Sequence, residues 1–160
     1  MKTILRFLQV LALGVWLGAL IYFAFVLAPT AFLSLPSQDL AGAFVGVTLG
    51  LLHQIGVAAA LIFLAAAVGW GRSLRSLVRP AAICVWVMLA LTLILQRGVI
   101  PRMDTLRTDM GSVAATSVQN PLRAKFDRLH GVSVELEGCV LLLGLAGLFL
   151  TVRERDPRQN

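Results

Sequence analysis

Apolar residues gather in four long runs, near residues 7–28, 43–70, 81–96 and 132–152, and polar residues fall between them. A bilayer-spanning helix needs about 20 such residues. The pattern therefore predicts four spans, at about 5–28, 43–70, 80–97 and 130–152. Punctuation at the span ends agrees. Asn120-Pro121 pairs a good N-cap with a proline suited to the first helical position, which starts the last helix well before the lipid. Pro29 and Pro101 are expected to end or bend the first and third helices as they leave the membrane. Met103, Leu106, Met110 and Val113 then recur at helical spacing, with Arg102, Asp104, Arg107 and Asp109 off the stripe. That stripe predicts a short amphipathic helix on the outer surface, inside an interfacial segment 101–119. The expected fold is all-α: one transmembrane domain over residues 1–160, an integral membrane four-helix bundle with a short amphipathic surface helix between helices 3 and 4.

Composition sharpens the class. The chain is 58% hydrophobic and 14% charged with mean hydropathy +0.86, whereas soluble domains are about half apolar and a quarter charged. The first run follows Lys2 and Arg6 as a secretory signal would, but its apolar core is longer than the 7–15 residues or so of a signal h-region, so it reads as a retained span. Cys84 and Cys139 both fall inside predicted spans and imply no disulfide framework. No GxGxxG, P-loop, GxSxG, HExxH or zinc spacing is present, which argues against an enzyme and names no cofactor. The net charge of +6 sits at span ends, which suits anionic lipid headgroups and not nucleic acid. With both termini in the cytoplasm, eight basic residues lie inside and six outside, and the loop 29–42 is free of them. The expected location is a bacterial plasma (inner) membrane with both ends cytoplasmic.

Small residues suggest how helices meet. Gly14 and Gly18 in the first span, and Gly42, Gly46 and Gly50 at the start of the second, repeat every fourth residue. In lipid, close backbone approach at small residues drives packing. These glycines predict a contact between helices 1 and 2 or between two copies of the chain. An internal echo runs alongside: "VLAP" and "GVIP" close the first and third spans, and "LLHQIGV" and "RLHGVSV" place a histidine in the second and fourth. Two related hairpins would account for it, as would chance.

Polar residues collect in the outer third. Counting about 20 residues back from the cytoplasmic ends puts Glu135 and Glu137 near the outer boundary, with His53 and Gln54 at matching depth and Gln96 and Arg97 at the exit of helix 3. At about 100° per residue, His130, Ser133 and Glu137 share one face of helix 4, while Glu135 lies about 140° from His130. Ionisable groups inside a membrane are costly and usually functional, so Glu137 is the leading candidate. For His53 a satisfied structural bond competes with ligation, and for His130 a capping role does. Arg97 is the expected counter-ion of Glu135 or Glu137. Trp16, Tyr22, Trp70 and Trp86 read as belt or packing residues.

"FDRLHGVSVELEG" resembles the F-x-x-L-H-x-x-S-x-x-x-N signature of the small four-span proteins related to transmembrane protein 205. "GVWLGALIYFAFVLAPTAFLSLP" is similar to that family's first helix and turn, and "VIPRMDTLR" to its third helix end. Phe126, Leu129, His130 and Ser133 match, and Glu137 replaces the asparagine. The resemblance implies a four-helix membrane bundle and, for the animal member, an association with resistance to platinum drugs; it implies no particular reaction. The replacement matters, because an ionised carboxylate only accepts hydrogen bonds and attracts a cation or proton that an amide does not.

The favoured expectation is a non-enzymatic bundle whose outer polar pocket, built from His53, Gln54, Gln96, Arg97, His130, Ser133 and Glu137, binds or helps pass a cation or small polar ligand, with His130 and Glu137 as candidate metal ligands. One alternative is a structural subunit of a homo-oligomer or a larger membrane assembly. Another is a haem-binding redox protein with His53 and His130 as axial ligands, although the same count separates them by about five residues of depth, roughly 7 Å.

Overall fold

The computed structural model describes residues 2–154, all of them in helices and the short turns that join them. Four helices are long and apolar enough to cross a membrane: α1 Lys2–Ser34, α2 Gln38–Gly71, α3 Pro80–Met110 and α4 Pro121–Arg153. The chain is an integral membrane protein built as an all-α four-helix bundle. Arg155 and Arg158, two of the charges counted to the inside, lie outside the described residues.

Local chemistry sets the helix ends. Ser37 is extended and its hydroxyl accepts from the Leu40 amide at 3.2 Å, which caps α2. Asn120 does the same for α4, accepting from Leu122 N at 2.9 Å with Pro121 in the first turn, as the sequence predicts. Gly111 ends α3 at φ +70°, a region closed to most side chains.

Pro29 and Pro101 do not end their helices. Each is preceded by one turn of π-helix, Phe23–Leu27 in α1 and Leu95–Val99 in α3. There the Ala28 and Ile100 amides reach back five residues, to the Phe23 and Leu95 carbonyls. A proline has no N–H to donate and collides with the carbonyl four residues back. Widening the ladder by one residue just ahead of it lets the helix continue. The amphipathic stretch expected between the third and fourth spans is thus helical over Ile100–Met110, joined to α3 without a break. Buried residues repeat with the same register: Leu13, Trp16, Leu17 and Leu20 of α1 match Val85, Met88, Leu89 and Thr92 of α3 at the interval that separates Pro29 from Pro101. The echo between the first and third spans is a shared helix design. The second half of the echo differs, since His53 is buried and His130 exposed.

Each helix packs on its two sequence neighbours, with α4 closing on α1. The core is Leu13, Trp16, Leu20, Leu52, Phe63, Val85, Met88 and Val140. Beyond the π turns the helices pair off, the tail of α1 on α2 and the tail of α3 on α4, and a space opens between the pairs.

Within the single chain, the five periodic glycines do not form the contact between α1 and α2. Gly14 and Gly18 are exposed, and a methyl added to either, or to Gly50, meets nothing within 4 Å. Helices α1 and α2 do meet closely, but at Gly56, where an added Cβ would lie 2.6 Å from the Trp16 ring. Gly144 plays the same part under Leu17 of α1 and Met88 of α3. Spacing reports that a small face exists, not which neighbour covers it.

Candidate functional site

The space between these helix pairs is a cavity of about 710 Å³. Its walls are mostly apolar, including Phe23, Phe25, Phe32, Leu49, Ile100, Met103 and Leu141. Its polar lining comes from the start of α2 (Asp39), the tail of α3 (Asp104, Arg107) and the first half of α4 (Arg123, Asp127, His130, Ser133, Glu137).

At one end Glu137 joins a buried network. His53 of α2, 2% exposed, lies with Nε2 2.5 Å from Glu137 Oε1 and Nδ1 2.8 Å from Gln96 Oε1. Gln96 is the second residue of the α3 π turn, so the device that accommodates Pro101 also presents this amide to the imidazole. Three helices meet in one hydrogen-bonded chain. No buried side-chain nitrogen or oxygen among the described residues lacks a partner, as the cost of burying polar groups unpaired requires.

Toward the mouth the charges are already matched. Arg107 pairs with Asp104 at 3.0 Å and lies 5.7 Å over the Phe126 ring, with its guanidinium against Gly42 and Gly46. Phe126 stacks in turn on His130. Arg123 pairs with Asp127 at 2.9 Å and donates to the Val113 carbonyl. Asp39 accepts from Ser112 Oγ at 2.5 Å and from the amides of Val113 and Ala114, which ties α2 to the loop ahead of α4. Among the described residues the Glu137 carboxylate has no guanidinium partner; its partner is an imidazole.

Of the seven expected pocket residues, His53, Gln96 and Glu137 are in direct contact, and Ser133 and His130 line the same cavity. Gln54 and Arg97 are not part of it. Each is exposed, one helical position beyond an inward residue and so about 100° round the helix. Arg97 forms no ion pair among the described residues, so the expected counter-ion of Glu135 or Glu137 is replaced by His53. His130 and Glu137 are seven positions apart on α4, about 10 Å of rise, and no three His, Cys, Asp or Glu side chains among the described residues come together as a metal site. Haem does not fit either: both ring nitrogens of His53 are engaged, leaving none for iron.

Asp39, Arg107 and Arg123 were not singled out by sequence reasoning. The signal for Arg107 is the Gly42–Gly46 repeat, which clears a groove for a guanidinium and not for a helix. Asp39 and Arg123 act on loop backbone, which no residue spacing announces.

Fold and site together define a four-helix membrane protein with an apolar cavity and an acid–imidazole pair at one end. Residues 11–112 match the domain of unknown function DUF4149, and the chain belongs to that family. The match takes in His53 and Gln96 and stops short of α4 with Glu137. No curated protein and no solved structure matches the chain.

Proposed function

We propose that this is a non-enzymatic membrane protein that binds a small cation in the outer cavity, with Glu137 as the anionic anchor, and assists its passage across that leaflet. The carrying observation is the lone acid: every other carboxylate of the lining is matched by a guanidinium or by loop donors, while among the described residues Glu137 has only His53. The walls narrow the ligand class. A bare metal ion needs several oxygen or nitrogen donors, whereas about 710 Å³ of mainly apolar surface suits an organic cation with a hydrocarbon or aromatic body. The positive-inside count favours both termini in the cytoplasm of a bacterial inner membrane, with this cavity on the outer side. Within its family, the chain's resemblance to proteins related to transmembrane protein 205 rests on Phe126, Leu129, His130 and Ser133.

Two ions of one shape and opposite charge test the reading. Tetraphenylphosphonium is expected to bind the detergent-purified chain and tetraphenylborate to bind at least about tenfold more weakly, a difference of about 1.4 kcal/mol. Glu137→Gln should erase the preference while the melting temperature stays near that of the parent. Equal binding of both ions would leave an apolar cavity with no role for the acid.

A second reading, a structural subunit of a larger membrane assembly, draws on the uncovered Gly14 and Gly18 face of α1. Fixed partners co-purifying from the native membrane would favour it.

A further inference from the structure

Beyond binding, and resting on the cavity reading above, we infer that the His53–Glu137–Gln96 triad exchanges a proton for the bound cation.

The hydrogen count carries this. His53 Nδ1 faces the Gln96 carbonyl oxygen, and Nε2 faces a carboxylate oxygen of Glu137. Both are acceptors, so each contact needs a hydrogen. Imidazole and carboxyl together then hold two hydrogens, and the pair is neutral whether the shared one sits on nitrogen or on oxygen. A cation arriving beside a neutral pair would add an uncompensated charge to an apolar cavity, which is strongly disfavoured. Loss of one proton removes that cost. Imidazolium and carboxylate plus the cation become imidazole, carboxylate and cation plus a proton released to water, and charge balances on both sides.

Gln96 makes both states tolerable. Its amide carries an acceptor on one side and donors on the other. Against the doubly protonated ring it offers oxygen; turned by half a rotation, it offers N–H to an Nδ1 that has lost its hydrogen. The buried imidazole keeps two partners either way, its remaining N–H staying on Glu137. A carboxylate or a hydrocarbon at position 96 would satisfy at most one of the two states.

The neighbouring charges do not supply this proton. Helix α1 gives the cavity only apolar groups. From α2 there is Asp39, held by the loop; from α3, Asp104 and Arg107 as an ion pair, with Arg97 exposed; from α4, Asp127 and Arg123 as an ion pair, with Glu135 exposed. That leaves His130, the second imidazole, seven positions from Glu137 toward the start of α4.

The test is calorimetry of tetraphenylphosphonium binding to the purified full chain, in buffers of different ionisation heat, over roughly pH 5 to 9. This probe has a permanent charge and no proton of its own. Exchange predicts release of up to one proton per ion bound and an affinity that rises by up to about tenfold per pH unit where release is complete. His130→Gln should release the same number, and Glu137→Gln none. Binding that is flat with pH and releases no proton overturns the exchange and leaves the cavity reading standing. Release that disappears in His130→Gln assigns the proton to the wrong imidazole and overturns it as well. Absence of any binding removes the cavity reading, and the exchange with it.

Discussion

The two ends of this bundle solve opposite problems with similar residues. At the end that holds Lys2 and Glu154, Trp70 is 6% exposed and two guanidiniums, Arg6 and Arg79, lie over its ring, each 4.9 Å from the centroid. Glu154 answers both arginines, at 3.5 and 3.7 Å, and its carbonyl accepts a further bond from Arg6. One residue from each helix or its flank enters this knot, so it staples all four together. At the other end an arginine again lies over an aromatic ring, Arg107 over Phe126, but both belong to the α3–α4 pair. That contact does not bridge the pairs, which are tied at this end only at the cavity's margins, by His53 with Gln96 and Glu137 and by Asp39 with the 112–114 loop. The same cation–aromatic chemistry closes one end and frames a cavity at the other, according to which helices contribute.

Breaking the closed end should have the largest effect. Trp70→Ala removes the ring both guanidiniums cover and leaves a void among Arg6, Arg79 and Glu154; large aromatic truncations in packed sites cost about 3–5 kcal/mol. A marked fall in melting temperature in detergent is expected. A fall no larger than that of an exposed-site variant would mean the knot does not hold the helices together.

A smaller effect is expected at the open end, where Asp39 is the main polar tie between α2 and the 112–114 loop. Asn at this position keeps one carbonyl acceptor of the two carboxylate oxygens. Amide exchange should quicken at Val113 and Ala114, with a smaller melting shift than Trp70→Ala gives. Unchanged exchange at these two amides would show that the loop is held by Arg123 alone.

What the sequence disclosed follows the same division. Span number, the helix start at Asn120, and the shared depth of His53, Gln96 and Glu137 follow from apolar run length, capping chemistry and rise per residue, all properties of a single helix. Pairings between helices were less legible. Arg97 looked like the counter-ion because it lies at the right depth, yet depth says nothing of azimuth, and the π turn that sends Gln96 inward leaves Arg97 exposed. Proline pointed to an end or a bend because its cost is local, whereas the compensation comes from the preceding turn, where no residue type marks it.

The glycine face of α1 gives the smallest expected effect and the sharpest distinction between a bundle that is complete alone and one that is not. Gly14 and Gly18 are exposed, with open space where side chains would go. In an isolated chain Gly14→Leu and Gly18→Leu should therefore meet nothing, extend apolar surface into lipid and improve helix propensity. Stability is expected to stay level or to rise by up to about 1 kcal/mol per site. These two changes leave the Trp16–Gly56 contact and the Trp70 knot untouched, so any loss of stability has to come from outside the chain. A pair of leucines that lowers the melting temperature, and lowers the apparent mass in the same detergent, would show that another helix normally lies in that open space. The comparison of a closed and an open end would then extend to a third surface.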